Sequence, residues 1–277
     1  MSNFVMPPTG FGPGSQPLAE DDELQYTIMP QDMRTYAPHT PEFKDASDVA
    51  AGTQFMHEVA AACAKCAVDM QSYSFDLSGF DDTNRAFIAD TLGEGEVSLR
   101  LRGIPAVRAQ ESFFAGVWLL KGEGVNRVEV APIPALALTR AHDAHRPALL
   151  TAAPKPAGIA NAPALLAELI DKSASYQKGM VPHVINLTLL PHTEPDLEWL
   201  DAALGEGAVT VLSRGYGNCR VTATALANVW RVQFYNSMDT LILDTFEVTD
   251  MPEVALAADE DLRDSDARIR DVMETIK

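Results

Sequence analysis

The 277-residue chain is 47% hydrophobic and 7% aromatic, enough for a sizeable buried core in either one large domain or two packed halves. Asp and Glu outnumber Lys and Arg by 39 to 21, a formal charge of -18, so the mean field repels phosphate backbones and anionic lipid surfaces and no nucleic-acid partner is expected. Only Cys63, Cys66 and Cys219 occur, which is not the pattern of a secreted disulfide framework and fits a reducing compartment.

Residues 1–18 contain no Lys or Arg and are broken by Pro7, Pro8, Pro13 and Pro17, so they read as neither the charged start nor the apolar core of a signal peptide. No stretch reaches the ~18 apolar residues of a membrane-spanning helix. A cytoplasmic protein without membrane insertion is the expectation. Residues 1–44, rich in Pro and Gly and then in acids such as Glu20-Asp21-Asp22-Glu23, lack either regular period and read as a flexible arm. From Asp45 to Met70 the spacing predicts a helix, with Ser47 or Asp48 as N-cap and Val49, Phe55, Met56, Val59, Cys63 and Cys66 along its apolar stripe.

Sliding the sequence against itself by 112 residues exposes an internal repeat. Leu92-Gly93-Glu94-Gly95 returns as Leu204-Gly205-Glu206-Gly207, Val97 as Val209, Arg102-Gly103 as Arg214-Gly215, and Val117-Trp118 as Val229-Trp230. Upstream, Leu77 aligns with Leu189, Phe87 with Trp199 and Ile88 with Leu200. Each copy reads as a strand, a short helix and then several strands. The first has a strand over 73–77, a helix over 81–92 capped by Asp81 or Asp82, a half-buried strand in which Val97, Leu99 and Leu101 alternate with Ser98, Arg100 and Arg102, and further strands at 107–111, 113–120 and 126–131. The second has a strand over 184–190, a helix over 194–204 opening with Pro195, and strands at 208–213, 219–224, 228–235 and 240–248. Gly93 and Gly205 stop the two helices.

The predicted organisation is therefore an α+β fold of two diverged strand-helix-multistrand copies, with mostly antiparallel sheet and flanking helices. The first unit, with its leading helix, spans 45–141; a Pro/Ala-rich linker spans 142–161; the second unit, opening on a helix over 163–177, spans 162–257. A charged amphipathic helix closes the chain at 258–277.

Few residues suggest reaction chemistry. Cys63-Ala64-Lys65-Cys66 has metal-ligand spacing, but four ligands are needed, only Cys219 remains, and Cys on an apolar helix face behaves as a small hydrophobe. His142 and His145 have HxxH spacing inside the expected linker, beside Arg140 and Arg146, and read as a solvated loop. The Gly-Glu-Gly triplets follow a helix and precede a strand, the reverse of a phosphate loop. Turn geometry accounts for the glycines, whereas a turn tip does not demand Glu94 and Glu206, which leaves a paired acidic contact open.

The densest polar cluster runs from Ser213 to Arg220 and again from Asn228 to Ser237. Alternation buries Trp230, Val232 and Phe234 and turns Arg231, Gln233 and Tyr235 outward. This face is either an ordinary solvated sheet surface or a contact surface carrying Arg214, Tyr216, Asn218, Arg220, Arg231, Gln233 and Tyr235, with Glu94 and Glu206.

These motifs, with Leu243-Asp244-Thr245-Phe246-Glu247-Val248 leading to Pro252-Glu253, resemble the HupH/HyaF/HoxQ family of accessory proteins for nickel-iron hydrogenase maturation over roughly residues 70 to 257. The resemblance implies a non-enzymatic chaperone without a cofactor, acting in the cytoplasm on the iron-sulfur small-subunit precursor before twin-arginine export, beside a second accessory chaperone. Two alternatives stand next to it: a cluster or metal carrier in which Cys63, Cys66 and Cys219 converge, and a thiol enzyme using Cys219, whose thiolate the neighbouring Arg220 would favour.

Overall fold

The computed structural model describes residues 41, 43, 45–214 and 218–276. The expected arm over 1–44 therefore lies outside the described residues apart from 41 and 43, as does Tyr216. After a short 3-10 turn the chain enters helix α1 (Ala50–Asp69), then strand β1 (Tyr73–Asp76), helix α2 (Asp82–Leu92) and strands β2 (Val97–Leu101), β3 (Val107–Glu111), β4 (Val117–Gly122) and β5 (Val125–Val130). Following the short helix α3 (Ala135–Thr139), the pattern repeats as α4 (Ala162–Ser175), β6 (His183–Asn186), α5 (Glu194–Leu204), β7 (Val209–Ser213), β8 (Asn218–Ala223), β9 (Val229–Tyr235) and β10 (Leu241–Val248), and α6 (Asp259–Thr275) follows. None of the helices among the described residues is long and apolar enough to cross a membrane.

The two copies share one ten-stranded antiparallel sheet in the order β1-β5-β4-β3-β2-β7-β8-β9-β10-β6. They meet where β2 pairs with β7, with Leu99 opposite Val211 and Leu101 opposite Val209. The α+β reading of two related copies holds. Each helix stops on its repeated glycine, Gly93 at φ 58° and Gly205 at φ 66°, and a side chain at Gly205 would drive into the Arg146 carbonyl. The equivalent indole N–H groups also end alike: Trp118 donates to the Ala131 carbonyl at 3.0 Å and Trp230 to that of Thr249 at 3.1 Å.

Three details of the sequence reading change. Asp45 caps the leading helical segment by accepting from the Ser47 amide, in place of Ser47 or Asp48. Leu77 corresponds to Leu187 and not to Leu189: the Leu77 amide donates to the Asn126 carbonyl at 3.0 Å and the Leu187 amide to that of Asp244 at 2.9 Å. Both leucines are buried, whereas Leu189 is 79% exposed. The outer strands thus follow different offsets: the β6–α5 connection is longer than the β1–α2 connection, which shifts β6, and the β9–β10 turn is longer than the β4–β5 turn, which shifts β10. Thirdly, the segment expected as a linker is docked on the second copy: Arg146 and Glu206 exchange backbone hydrogen bonds, and the buried Trp199 indole donates to the Ala153 carbonyl at 3.0 Å. His142 sits against Trp230 with ring centroids 5.2 Å apart and its Nδ1 2.9 Å from the Thr224 carbonyl oxygen, so it is not in a solvated loop.

Alternation along the strands sorts the core onto the two faces. One face is covered along the whole central sheet: Leu99, Leu101, Val107, Trp118, Leu120, Val211, Val221, Trp230 and Val232 pack in one cluster beneath Ala137 and Ala255. Among the described residues, the opposite face is covered only at its ends. There α1, α2 and α6 bury Val117, Val128 and Val130 of the first copy, and α4 and α5 bury Val229, Phe246 and Val248 of the second. Each such side chain withdrawn from water contributes about 1.5–3 kcal/mol.

Buried polar residues fix the helices to their own copy. At the third residue of α2, Asn84 accepts from the Gly52 amide at 2.6 Å. Its equivalent in α5, Asp196, accepts from the amides of Ala160, Asn161 and Ala162. Burial pushes the Asp196 carboxyl up, but those amides and that of Thr193 together hold it well below the usual carboxylate range.

Candidate functional site

Between the two helical caps, the polar face of β3, β2, β7 and β8 is left open by the described residues. A groove of about 790 Å³ runs over it, floored by Ser98, Gln110, Thr210 and Thr222 and carrying Arg100, Arg102, Arg108, Lys121 and Arg220. Five of the chain's 21 basic residues gather here, in a molecule of formal charge -18.

Strand register decides where the charges stand. Arg100 lies opposite Arg108, and Arg108 lies opposite Lys121, so three adjacent strands present three cations in one cross-strand row. The row continues through Thr210, opposite Arg100, to Thr222. Facing side chains in such pairs have Cβ atoms about 5 Å apart, and like charges directly opposite destabilise the sheet. Arg100, Arg108 and Lys121 are exposed, and among the described residues none of them has a carboxylate within 4 Å.

Glu94 and Glu206 both line this groove, one from each copy. They do not behave alike: Glu206 bonds Arg102 at 2.9 Å across the seam between copies, while Glu94 stays exposed. Arg102 also donates to the Thr210 hydroxyl at 3.3 Å, so that cation is committed internally.

An adjoining depression of about 600 Å³ is lined by Arg214, Asn218, Arg220, Tyr235 and Asp239. Arg220 stands 5.8 Å from the Tyr235 ring centroid, and the Asn218 amide donates to Asp239 at 2.9 Å. The structure therefore brings Arg214, Asn218, Arg220 and Tyr235 together on the predicted face. Arg231 and Gln233 share that face but are otherwise engaged. Arg231 grips the buried Asp244 through two bonds of 2.9 and 2.6 Å, and Gln233 leans on the same carboxylate at 3.4 Å. Burial pulls the Arg231 guanidinium pKa down, but Asp244 more than offsets this and keeps it charged. Both thereby brace β9 against β10.

Arg100, Arg108 and Lys121 were missed as site residues. Their signal was the alternation of Ser98, Arg100 and Arg102 with apolar neighbours, which reads as an ordinary polar strand face until the register of β3 and β4 is known.

The three thiols do not converge. Cys63 and Cys66 lie fully buried in the core of the first copy, and Cys219 lies in the cluster on the other side of the sheet. Burial pushes Cys63 up to about 12 and Cys66 and Cys219 each up to about 11, so thiolate character is suppressed at all three despite Arg220. Neither the shared metal site nor the activated Cys219 expected as alternatives is built by this fold. Among the described residues, no group of three or more His, Cys, Asp and Glu is placed to hold a metal ion.

The arrangement is that of an internally duplicated α+β protein whose central sheet carries a basic face left open by the described residues. The sequence matches the family described as HupH hydrogenase expression protein, C-terminal conserved region, twice, over residues 49–152 and 159–276, one match for each structural copy. It is 59% identical over the full length of both chains to the hydrogenase expression/formation protein HupH of Rhodobacter capsulatus. The hydrogenase expression/formation protein HoxQ of Cupriavidus necator is 40% identical, with 100% of this chain and 99% of HoxQ covered; the hydrogenase-1 operon protein HyaF of Escherichia coli is 34% identical over 71% of each. The chain belongs to the HupH family of hydrogenase expression proteins.

Proposed function

We propose that this chain serves hydrogenase maturation as a non-enzymatic accessory protein that holds a client. The client is the iron-sulfur small-subunit precursor of a nickel-iron hydrogenase, bound in the cytoplasm before twin-arginine export and beside a second accessory chaperone. Membership in a family of hydrogenase expression proteins supports the maturation role.

The observation that carries the binding role is the open polar face of β3, β2, β7 and β8, which no helix among the described residues covers. Concave polar surfaces on a rigid sheet suit an extended polypeptide, whose groups can be matched by side chains fixed at strand register. The thiols count against chemistry at sulfur, being buried in separate clusters and poorly ionised.

Affinity purification of the full chain from cells expressing a hydrogenase operon tests this. The expected result is co-purification of the small subunit with its signal segment still attached. Recovery of the large subunit alone, or of neither subunit, would overturn the proposal.

A further inference from the structure

We propose that the cation row Lys121, Arg108 and Arg100, extended by Arg220, is a docking groove for a short, extended, acidic segment of a partner protein. This rests on the protein-binding role proposed above and adds the chemistry of what is bound.

The first argument is the cost of the arrangement. Strand register places Arg100 opposite Arg108 and Arg108 opposite Lys121, two directly opposed like-charge pairs that the isolated sheet disfavours. Two other cations have carboxylates at hand: the part-buried Arg146 meets Asp201 at 2.7 Å and the exposed Arg263 meets Asp259 at 2.6 Å. Carboxylates outnumber basic groups almost two to one, yet among the described residues none comes within 4 Å of these three side chains. A ligand carrying negative charge would relieve the repulsion that the fold leaves standing.

The second argument is charge complementarity with a size limit. The groove is a basic island on an acidic protein, so the field that attracts a few carboxylates here repels a long polyanion from the surrounding surface. Glu94 and Glu206 line the same groove and bound the stretch over which added negative charge is welcome.

Geometry supplies the third. Successive cations in the row stand one strand spacing apart, about 4.8 Å, and same-side residues of an extended peptide recur about 6.7 Å apart. Long Arg and Lys side chains span that mismatch, so a peptide lying across the strands sets alternate Asp or Glu residues against successive cations. Arg forks take carboxylates bidentately, and Thr210 and Thr222 on the floor offer hydroxyls to the peptide backbone.

The full chain should be titrated against a fluorescein-labelled, ten-residue peptide with four alternating acidic residues, and against its Asn/Gln counterpart, by anisotropy. The expected result is a preference for the acidic peptide of about tenfold or more, lost on raising salt from about 50 to 500 mM. Arg100→Gln with Arg108→Gln, and separately Lys121→Gln, should each weaken binding, the pair by about tenfold or more, while Lys65→Gln on α1 changes nothing. Thermal unfolding of each Gln variant at or above that of the parent chain establishes that the fold is intact. Equal binding of the two peptides, undiminished binding by both groove variants, or tighter binding of a single-stranded oligonucleotide of equal charge would overturn the inference. Precursor capture that survives Arg100→Gln with Arg108→Gln overturns the groove and leaves the client role; acidic-peptide binding without precursor capture does the reverse.

Discussion

Leu99 and Val211, equivalent residues of the two copies, face each other directly across the β2–β7 pair. They mark a local pseudo-two-fold axis: on either side the Arg102 amide donates to the Ala208 carbonyl at 2.8 Å, and its counterpart Arg214 donates to that of Glu96 at 3.1 Å. One chain thereby reproduces the self-complementary interface of a symmetric dimer. Both Leu99 and Val211 are buried in the cluster that runs from Trp118 to Trp230.

Because that cluster spans the seam, the copies should unfold together. Leu99→Ala is expected to cost about 2–4 kcal/mol by loss of burial and creation of a cavity. Urea unfolding followed by tryptophan fluorescence should show one shifted transition, since Trp118 and Trp230 report on one copy each. Two separated transitions would show that the seam does not couple the halves.

Arg231 and Asp244 are expected to matter for stability before binding. Asp244→Ala leaves the guanidinium, 24% exposed, without its carboxylate, and should destabilise by about 3 kcal/mol. The denaturant midpoint should fall as much for Arg231→Glu, which places two carboxylates together on β9 and β10. A variant that loses client capture with an unchanged midpoint would show Arg231 acting as a contact residue instead.

Glu111 gives the fold a dependence on pH. Burial raises its carboxyl to about 7, with the Gly116 amide, donating at 3.0 Å, only partly opposing the shift. An acid whose folded pKa lies above its unfolded value binds more protons when folded, so its contribution is largest below about pH 4.5 and is lost as pH rises through 7. Wild type should therefore lose roughly 2 kcal/mol between pH 5 and pH 8 from this group alone. Glu111→Gln, which keeps an acceptor for Gly116, should flatten the profile of melting temperature over that range. An unchanged profile would place the titration elsewhere.

Burial of all three thiols makes a chemical prediction. A disulfide reagent such as dithionitrobenzoate should label Cys63, Cys66 and Cys219 slowly in the native protein and rapidly in denaturant, and Cys219→Ser should still capture client. Fast native labelling of Cys219 would reopen thiol chemistry.

Although α6 follows the second copy in sequence, it packs on the first. Leu262, Ile269, Val272 and Met273 enter the core built around α1, and the Ser265 hydroxyl donates to the Ala115 carbonyl at 2.9 Å. Truncation after Ala258 uncovers that core at about 1.5–3 kcal/mol per buried side chain. Amide exchange should accelerate in α1 and α2 and change little in α4 and α5. Uniform acceleration across both copies would contradict this division.

Much of this architecture was legible in the residues. The repeat, the glycines ending α2 and α5, the Asp81 cap and the alternation of nearly every strand are local features, set by helix termini and by the two-residue period of a pleated chain. Membership in the family could be read from the same motifs. Whether the copies joined one sheet could not, because strand order and register depend on contacts between residues more than a hundred positions apart. Register alone turned three scattered basic residues, Arg100, Arg108 and Lys121, into a row, and committed Arg231 to Asp244. It also carried Cys219 to the opposite side of the sheet from Cys63 and Cys66. A sequence fixes which side of its strand each residue takes; only the assembled sheet decides which side chains stand beside it, and charge and reactivity are properties of those neighbours.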